Sequence, residues 1–204
     1  MSALFYFPIF IDKLKIKCYT LIYTIYYKEN LTKDMGNIVL IGMPSCGKST
    51  MGVLIAKNLG YKFLDSDLLI QEREGKLLCE LIAEFGNEKF IEIENNANMS
   101  IDVDNAVIST GGSVVYCEGA MEHLRKIGKA VYIKISYETL ADRLGDYTHR
   151  GVVMPDGYTL LDMYNERSEL YEKYADYTLS ADGMSMTETL DKLTSLCKEI
   201  ISDK

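Results

Sequence analysis

No stretch of this chain holds the roughly 18 consecutive apolar residues that a membrane-spanning helix needs. The two apolar runs near its start, Leu4 to Ile11 and Cys18 to Tyr27, are separated by Asp12-Lys-Leu-Lys-Ile-Lys17 and are both too short. No charged segment precedes the first and no small-residue cleavage site follows the second, so neither reads as a secretory signal. Basic residues are outnumbered, 22 Lys and Arg against 30 Asp and Glu, for a net charge of −8. Residues 1–34 carry five lysines against Asp12, Glu29 and Asp34, a net of +2, which leaves −10 on the remainder. A domain that acidic is a poor general nucleic-acid binder. The five cysteines, at 18, 46, 79, 117 and 197, are odd in number and lack C-x-x-C spacing. That argues against a disulfide frame or a zinc site and for a reducing cytoplasm. The only histidines, His123 and His149, belong to no motif and read as surface residues. There is no internal repeat and no low-complexity tract. What is left, 204 residues that are 48% hydrophobic and 25% charged, suits a single domain with a sizeable core.

The informative stretch is Gly42-Met-Pro-Ser-Cys-Gly47-Lys48-Ser49-Thr50, a complete G-x-x-x-x-G-K-[ST] phosphate-binding loop. The apolar run Asn37 to Ile41 before it reads as a buried strand. The segment Met51 to Gly60 after it, with apolar helical spacing and a closing glycine, reads as a helix. Strand, loop and helix are the context in which such glycines let backbone N–H groups surround a phosphate. The helix N-terminus adds partial positive charge. Lys48 is placed to reach the β- and γ-phosphates of a nucleotide, and the Ser49 hydroxyl to ligate Mg²⁺. Gly42, Ser45, Cys46, Gly47 and Thr50 complete the nucleotide-binding set, with Cys46 as a small filler.

Further elements alternate. A short strand, Tyr61 to Asp65, ends in Asp65-Ser66-Asp67. Helical segments are predicted over 68–73, 77–85 and 87–99, with Gly86 ending the second. Strands follow at 106–109, 130–135 and 176–180, and helices at 118–127, 137–144, 160–174 and from about 187 onward. Residues 145–158, rich in glycine and polar residues, read as a mobile lid with few apolar anchors. Alternation of this kind predicts an α/β fold: a central five-stranded parallel sheet flanked by helices. Ligands of such sheets sit beyond the carboxyl ends of the strands. The phosphate loop, Asp65 and Asp67, Gly111-Gly112-Ser113 and the start of the lid all fall at that edge, which points to one pocket. The domain spans residues 35–204, and residues 1–34 read as an extension outside the fold; a peripheral membrane or partner-binding arm is the rival reading.

At this point the chain resembles the shikimate kinase family, from about Asn37 to Ser180. The resemblance rests on motifs in order: the phosphate loop, an Asp-x-Asp after the second strand, Ile70 to Gly75, the glycine turn after the third strand, an arginine in the lid, and Arg167 to Tyr171. It implies a P-loop kinase fold, ATP with Mg²⁺, and transfer of the γ-phosphate to a hydroxyl of shikimate. It further implies that Asp67 contacts the acceptor hydroxyl, that Asp65 stands near the Mg²⁺ shell, and that Gly111 and Gly112 line the acceptor pocket. Arg143 would stack near adenine, Arg150 would reach phosphates and acceptor from the lid, and Arg167 would pair with the acceptor carboxylate. Lys48, Asp67 and Arg150 would be the catalytic residues. Elementary chemistry agrees: a carboxylate can orient and deprotonate a hydroxyl, and the arginine fork suits a carboxylate or phosphate. The plainer readings are that Asp65 or Asp67 caps a helix, that Arg143 pairs with Glu138 or Asp142, and that Arg167 pairs with Asp162, Glu169 or Glu172.

Three departures stand out. Ile91 follows Phe90 where the family has a second acceptor arginine, Ser113 replaces the third pocket glycine, and Gly151 replaces a proline after the lid arginine. A charge-assisted hydrogen bond is worth roughly 1.5–3 kcal/mol, so losing that arginine is expected to weaken shikimate binding. Homoserine, a zwitterion needing one arginine, is therefore an alternative acceptor, and a catalytically silent nucleotide-binding protein is an alternative of another class. The expected partners are a small-molecule substrate, no nucleic acid and no membrane; the expected state is a cytoplasmic monomer. Because the first strand begins after Met35, a chain starting at Met35 should fold and turn over as well as the full-length protein. Loss of cooperative unfolding in that shortened chain would show that the first 34 residues pack on the core.

Overall fold

In the computed structural model the described residues are 36–145 and 151–202. They fall within a compact unit that spans Met35–Lys204. Five parallel strands form its sheet: β1 Asn37–Ile41, β2 Lys62–Asp65, β3 Ala106–Ser109, β4 Gly128–Lys134 and β5 Tyr177–Ser180, in the order β2-β3-β1-β4-β5. Among the described residues seven α-helices accompany them: α1 Lys48–Leu59, α2 Ser66–Glu74, α3 Leu78–Met99, α4 Glu118–Ile127, α5 Tyr137–Leu144, α6 Leu160–Tyr174 and α7 Met186–Ser202. The predicted α/β architecture is thus the observed one.

Strand composition follows from position. β1, at the centre, is buried at all five residues, and β3 at all four, because helices cover both faces. The edge strands β2 and β5 are only partly covered, and accordingly carry Lys62, Asp65, Thr178 and Ser180. From β1 the chain moves to one side through β2 and β3, then to the other through β4 and β5. The carboxyl edge beside β1 is therefore the place where connections diverge and a crevice can open.

Where boundaries differ from the sequence reading, the cause is local. α2 begins at Ser66 rather than Leu68 because Asp65 caps it, Oδ1 accepting from the N–H groups of Asp67 at 3.0 Å and Leu68 at 3.4 Å. The helical segments on either side of Gly86 follow one another without a loop and are given one label, α3, but Gly86 itself is non-helical at φ 78 and ψ 171, so it interrupts the helix where the sequence placed the break. A short 3-10 turn over Val114–Tyr116 had no periodic signal.

The lid segment divides. Residues 146–150, with Arg150 and His149, lie outside the described residues. Gly151 to Met154 are packed, contrary to the expectation of few apolar anchors. Val153 is buried in a small second core with Ile70, Leu81, Phe90 and Ala97. A β-carbon on Gly151 would stand 2.8 Å from Leu78 Cβ. Asn87 Nδ2 donates to Met154 O at 2.7 Å.

At the opposite edge of the sheet one buried side chain ties β1 to the start of β3, to the loop before it and to the end of α4. Asn37 Nδ2 donates to Val103 O at 2.7 Å and Ile127 O at 3.0 Å, and its Oδ1 accepts from Ala106 N at 3.0 Å. Replacing it by alanine would strand those partners beneath the sheet, and each unsatisfied buried group costs roughly 1–3 kcal/mol. Asn37→Ala should therefore lower stability by at least about 2 kcal/mol in equilibrium denaturation with an unchanged m-value. A loss within error of zero would show that these bonds are replaced by water.

Candidate active site

The phosphate loop leaves the carboxyl end of β1 and turns at once into α1. Gly42 sits at φ +146, and a β-carbon there would meet Ile133 O at 2.7 Å and Cys46 Sγ at 3.0 Å. Gly47 is at φ +104, and Ser45 is left-handed at φ 59, an unfavourable conformation for a residue with a side chain. α1 has no side-chain cap at Gly47 and no acid in its first turn, so its N-terminal N–H groups and dipole are left for an anion. Lys48 is buried, its Nζ donating to Gly42 O at 2.7 Å and Met43 O at 2.9 Å. Ser49 Oγ lies 3.2 Å from Ser109 Oγ at the end of β3.

These residues open into a cavity of about 530 Å³. Ser45, Gly47, Lys48, Ser49 and Thr50 line one side of it. Asp67, Glu94, Thr110, Gly111, Gly112, Ser113 and Arg167 line the other, with Arg143 and Gly151 to Val153 at the rim. Gly42 and Cys46 stand behind the lining. Cys46 is buried, and its N–H is already given to Met43 O at 3.2 Å.

The acceptor side depends on close approach. A β-carbon on Gly111 would stand 2.8 Å from Asp67 Oδ1 and closer still to Glu94 Oε1; one on Gly112 would stand 3.0 Å from Pro44 and 3.3 Å from Arg167 Nη1. The glycine turn is held from three directions. Thr110 Oγ1 donates to Leu40 O at 2.9 Å, Gly111 N donates to Ser66 Oγ at 3.2 Å, and Tyr171 Oη donates to Gly112 O at 2.6 Å. The Tyr171 ring stacks on Tyr132 of β4, centroids 5.0 Å apart.

Arg167 is 1% exposed, and its partners among the described residues are a carbonyl and a tyrosine rather than the acids of its own helix. Its Nη2 donates to Val153 O and its Nε to Tyr116 Oη at 3.4 Å, with the Tyr116 ring 5.1 Å from the guanidinium. Tyr116 Oη in turn donates to Glu166 at 2.7 Å. The guanidinium is thereby clamped, with Nη1 turned toward Gly112.

Electrostatics separate the two aspartates. Asp65 spends Oδ1 on the helix cap, the plainer role foreseen for it. Asp67 faces the cavity, and burial, with Asp65 adding repulsion and Lys48 opposing, raises its carboxyl to about 6. Arg143, on the last turn of α5, is exposed at the rim, and its charge reaches Asp182. Ile91 lies elsewhere than expected. It lines a neighbouring cavity with Tyr116, Val153 and Glu166 and does not narrow the main one.

Glu94, Thr110, Tyr116 and Tyr171 escaped the sequence reading as site residues. Two had a usable signal: Glu94 is four residues beyond Phe90 on α3, and Tyr171 four beyond Arg167 on α6, so each shares a face with a residue already singled out. Tyr116 had none, since it sits in the 3-10 turn.

Of the two expected Mg²⁺ residues Ser49 lines the cavity and Asp65 does not, too few donors for an all-protein cation cage. They fit Mg²⁺ held mainly through nucleotide phosphates and water. Among the described residues no cluster of three His, Cys, Asp or Glu side chains could hold a metal by itself.

A family model described as "Shikimate kinase" matches residues 44–198. A shikimate kinase of Clostridium botulinum strain 657 is 41% identical over 143 residues, covering 68% of this chain and 84% of the relative. One from C. botulinum strain Eklund 17B is 36% identical over 165 residues, 80% of this chain and 96% of the relative. Among solved structures, the shikimate kinase of Acinetobacter baumannii in complex with shikimate superposes with a TM-score of 0.72 at 27% identity, covering 83% of this chain and 94% of that one.

If the Asp67 carboxylate takes a proton during turnover, it must be ionised first. Activity should then fall as pH drops through about 6, with the acid limb of kcat near that value. A kcat that stays flat down to pH 5 would remove Asp67 from that role.

Proposed function

We infer function from one premise: the chain belongs to the shikimate kinase family. It is an ATP-dependent phosphotransferase with an alcohol acceptor, converting shikimate and ATP to shikimate 3-phosphate and ADP. The observation that carries the reading is a single cavity joining a phosphate loop to Asp67, the Gly111-Gly112 turn and a clamped arginine. Homoserine and the silent-protein alternative are not favoured, since the relatives matched over most of the chain are shikimate kinases.

The proposed roles follow the chemistry of each position. Gly42, Ser45, Cys46, Gly47 and Thr50 shape the backbone around the nucleotide phosphates, and Arg143 at the rim is suited to the adenine. Lys48 exchanges its loop carbonyls for phosphate oxygens and spreads the charge of the transferring group. Ser49 would hold Mg²⁺ and Asp65 would stand near its shell; the ion neutralises phosphate charge. Asp67 orients the acceptor hydroxyl and accepts its proton at a carboxylate oxygen. Its pKa near 6 leaves it mostly ionised at neutral pH yet close enough to act as a base. Gly111 and Gly112 let the acceptor ring approach the backbone, while Arg167 presents Nη1 to its carboxylate. Arg150, outside the described residues, would close the site from the lid and help exclude water.

Residues 35–204 are proposed as the catalytic domain and residues 1–34 as an extension with no part in the chemistry. A cytoplasmic monomer is proposed with them, supported by the scattered cysteines of the sequence. Among the described residues no helix is long and apolar enough to cross a membrane.

The direct test is shikimate-dependent ADP release with Mg²⁺ and ATP. Turnover is expected for the wild type, and a loss of several hundredfold or more for Lys48→Ala, since removing one donor to a developing charge costs about 2.7–4 kcal/mol, roughly 10²–10³ in rate. Equal turnover of the two, or ADP release by wild type that ignores shikimate, would refute the assignment.

A further inference from the structure

One buried side chain of the site has no place in the mechanism above. Glu94, on the second half of α3, is fully buried, and neither of its carboxylate oxygens completes a hydrogen bond among the described residues. Its position is nevertheless fixed against the acceptor wall. Glu94 Oε1 and Asp67 Oδ1 both lie within 2.8 Å of the point a Gly111 β-carbon would occupy, so less than about 6 Å separates them. We propose that Glu94 serves the acceptor site as an uncharged acid, with the Ser113 hydroxyl as its companion, so that the pocket takes an anionic acceptor tightly only while Glu94 holds its proton. This rests on the reading of the cavity as the site of a carboxylate-bearing acceptor.

Among the described residues, several charged and titratable groups face Glu94. Asp67 faces it from α2, Lys48 from α1, and Arg167 and Tyr171 from α6. Ser113 faces it from the turn after β3, and Cys117 from the start of α4. The two cations are committed elsewhere, Lys48 to loop carbonyls and Arg167 to Val153 O and Tyr116. Among the described residues no further cation faces Glu94 to pair with its ionised form, and an unpaired buried carboxylate neutralises rather than bear the desolvation cost. Burial raises Glu94 to about 7, and Asp67 adds to that; Ser113, Arg167 and Lys48 oppose it. The Ser113 hydroxyl is near enough to lower the value without reaching good hydrogen-bond geometry.

The same geometry explains why Ile91 is tolerated beside Glu94. An uncharged Glu94 needs no ion-pair partner, and Ile91 turns away into the neighbouring cavity. The consequence is a coupling. A carboxylate docked at Arg167 brings negative charge toward the Asp67–Glu94 pair and consumes part of the Arg167 field. Acceptor binding then raises the proton affinity of Glu94, and by reciprocity a protonated Glu94 tightens acceptor binding.

The test is the pH dependence of shikimate KM between pH 6 and 9 in wild type and Glu94→Gln, which mimics the protonated acid and cannot ionise. In wild type KM should climb above pH 7, approaching about tenfold per pH unit for one linked proton. In Glu94→Gln, KM should match the wild-type value at pH 6 and lose most of that climb, with MgADP affinity unchanged as the check on folding. The same climb in Glu94→Gln would overturn the proposal, as would a raised KM at pH 6 in a variant that still binds MgADP normally. A second measurement needs no variant. Shikimate binding to the wild-type MgADP complex at pH 8, followed by calorimetry in two buffers of different ionisation enthalpy, should take up a proton; none taken up, or one released, would contradict the proposal. If wild type turned over no shikimate at any pH, the reading of function would fail as a whole; turnover with a flat KM would overturn this inference alone.

Discussion

The site depends on backbone coming closer to its neighbours than any side chain allows. At the carboxyl edge of the sheet, a β-carbon on Gly42 would collide with the carbonyl of Ile133 and one on Gly111 with the carboxylates of Asp67 and Glu94, while one on Gly112 would crowd Pro44 and Arg167. Gly42 lets the chain leave β1 and wrap a phosphate-sized space before α1 begins. Gly111 and Gly112 let two carboxylates and a guanidinium converge on one wall. The rest of the fold supports these contacts. The covered central strands hold the three glycines in register, and Thr110, Ser66 and Tyr171 fix the second turn from three elements. Any substitution at these glycines is expected to act first on geometry and only then on chemistry.

Charge is distributed with equal economy. The sequence is acidic overall, yet the cations proposed to meet phosphate and carboxylate, Lys48 and Arg167, are held by backbone carbonyls and a tyrosine instead of by acids. Lys48 and Arg167 are thereby kept in place without being neutralised. Two carboxylates share the opposite wall, and burial keeps both from ionising as readily as they would in water. That balance suits a reaction in which positioning and neutralisation of phosphate charge count for more than strong basicity.

Much of this was legible in the sequence, for identifiable reasons. The phosphate loop carries its own context, and the continuous apolar runs of β1 and β4 announce strands covered on both faces. Asp67, Gly111, Gly112 and Arg167 could be placed because short motifs occur in order along an alternating chain. What could not be read depends on tertiary contact. The packing of Val153 into a second core is invisible in a segment that looks polar and glycine-rich, so residues 151–154 read as looser than they are. The orientation of Ile91 is likewise set by tertiary packing, since α3 lies against α2, α4 and the 3-10 turn and Ile91 turns into the neighbouring cavity. Asp65 and Asp67, two residues apart, look alike in sequence; only the start of α2 makes one a cap and the other a site residue.

The central claim is that nucleotide and acceptor are held by separable halves of one cavity, with Arg167 as the anchor of the acceptor half. Arg167→Lys keeps the charge but loses the planar fork and the Tyr116 clamp. Steady-state kinetics of this variant, with shikimate and MgATP varied independently, tests the claim most directly. The account predicts a shikimate KM raised by about tenfold or more, corresponding to loss of a charge-assisted bond, with the KM for MgATP within about twofold of wild type. An unchanged shikimate KM, or equal loss of affinity for both substrates, would contradict it.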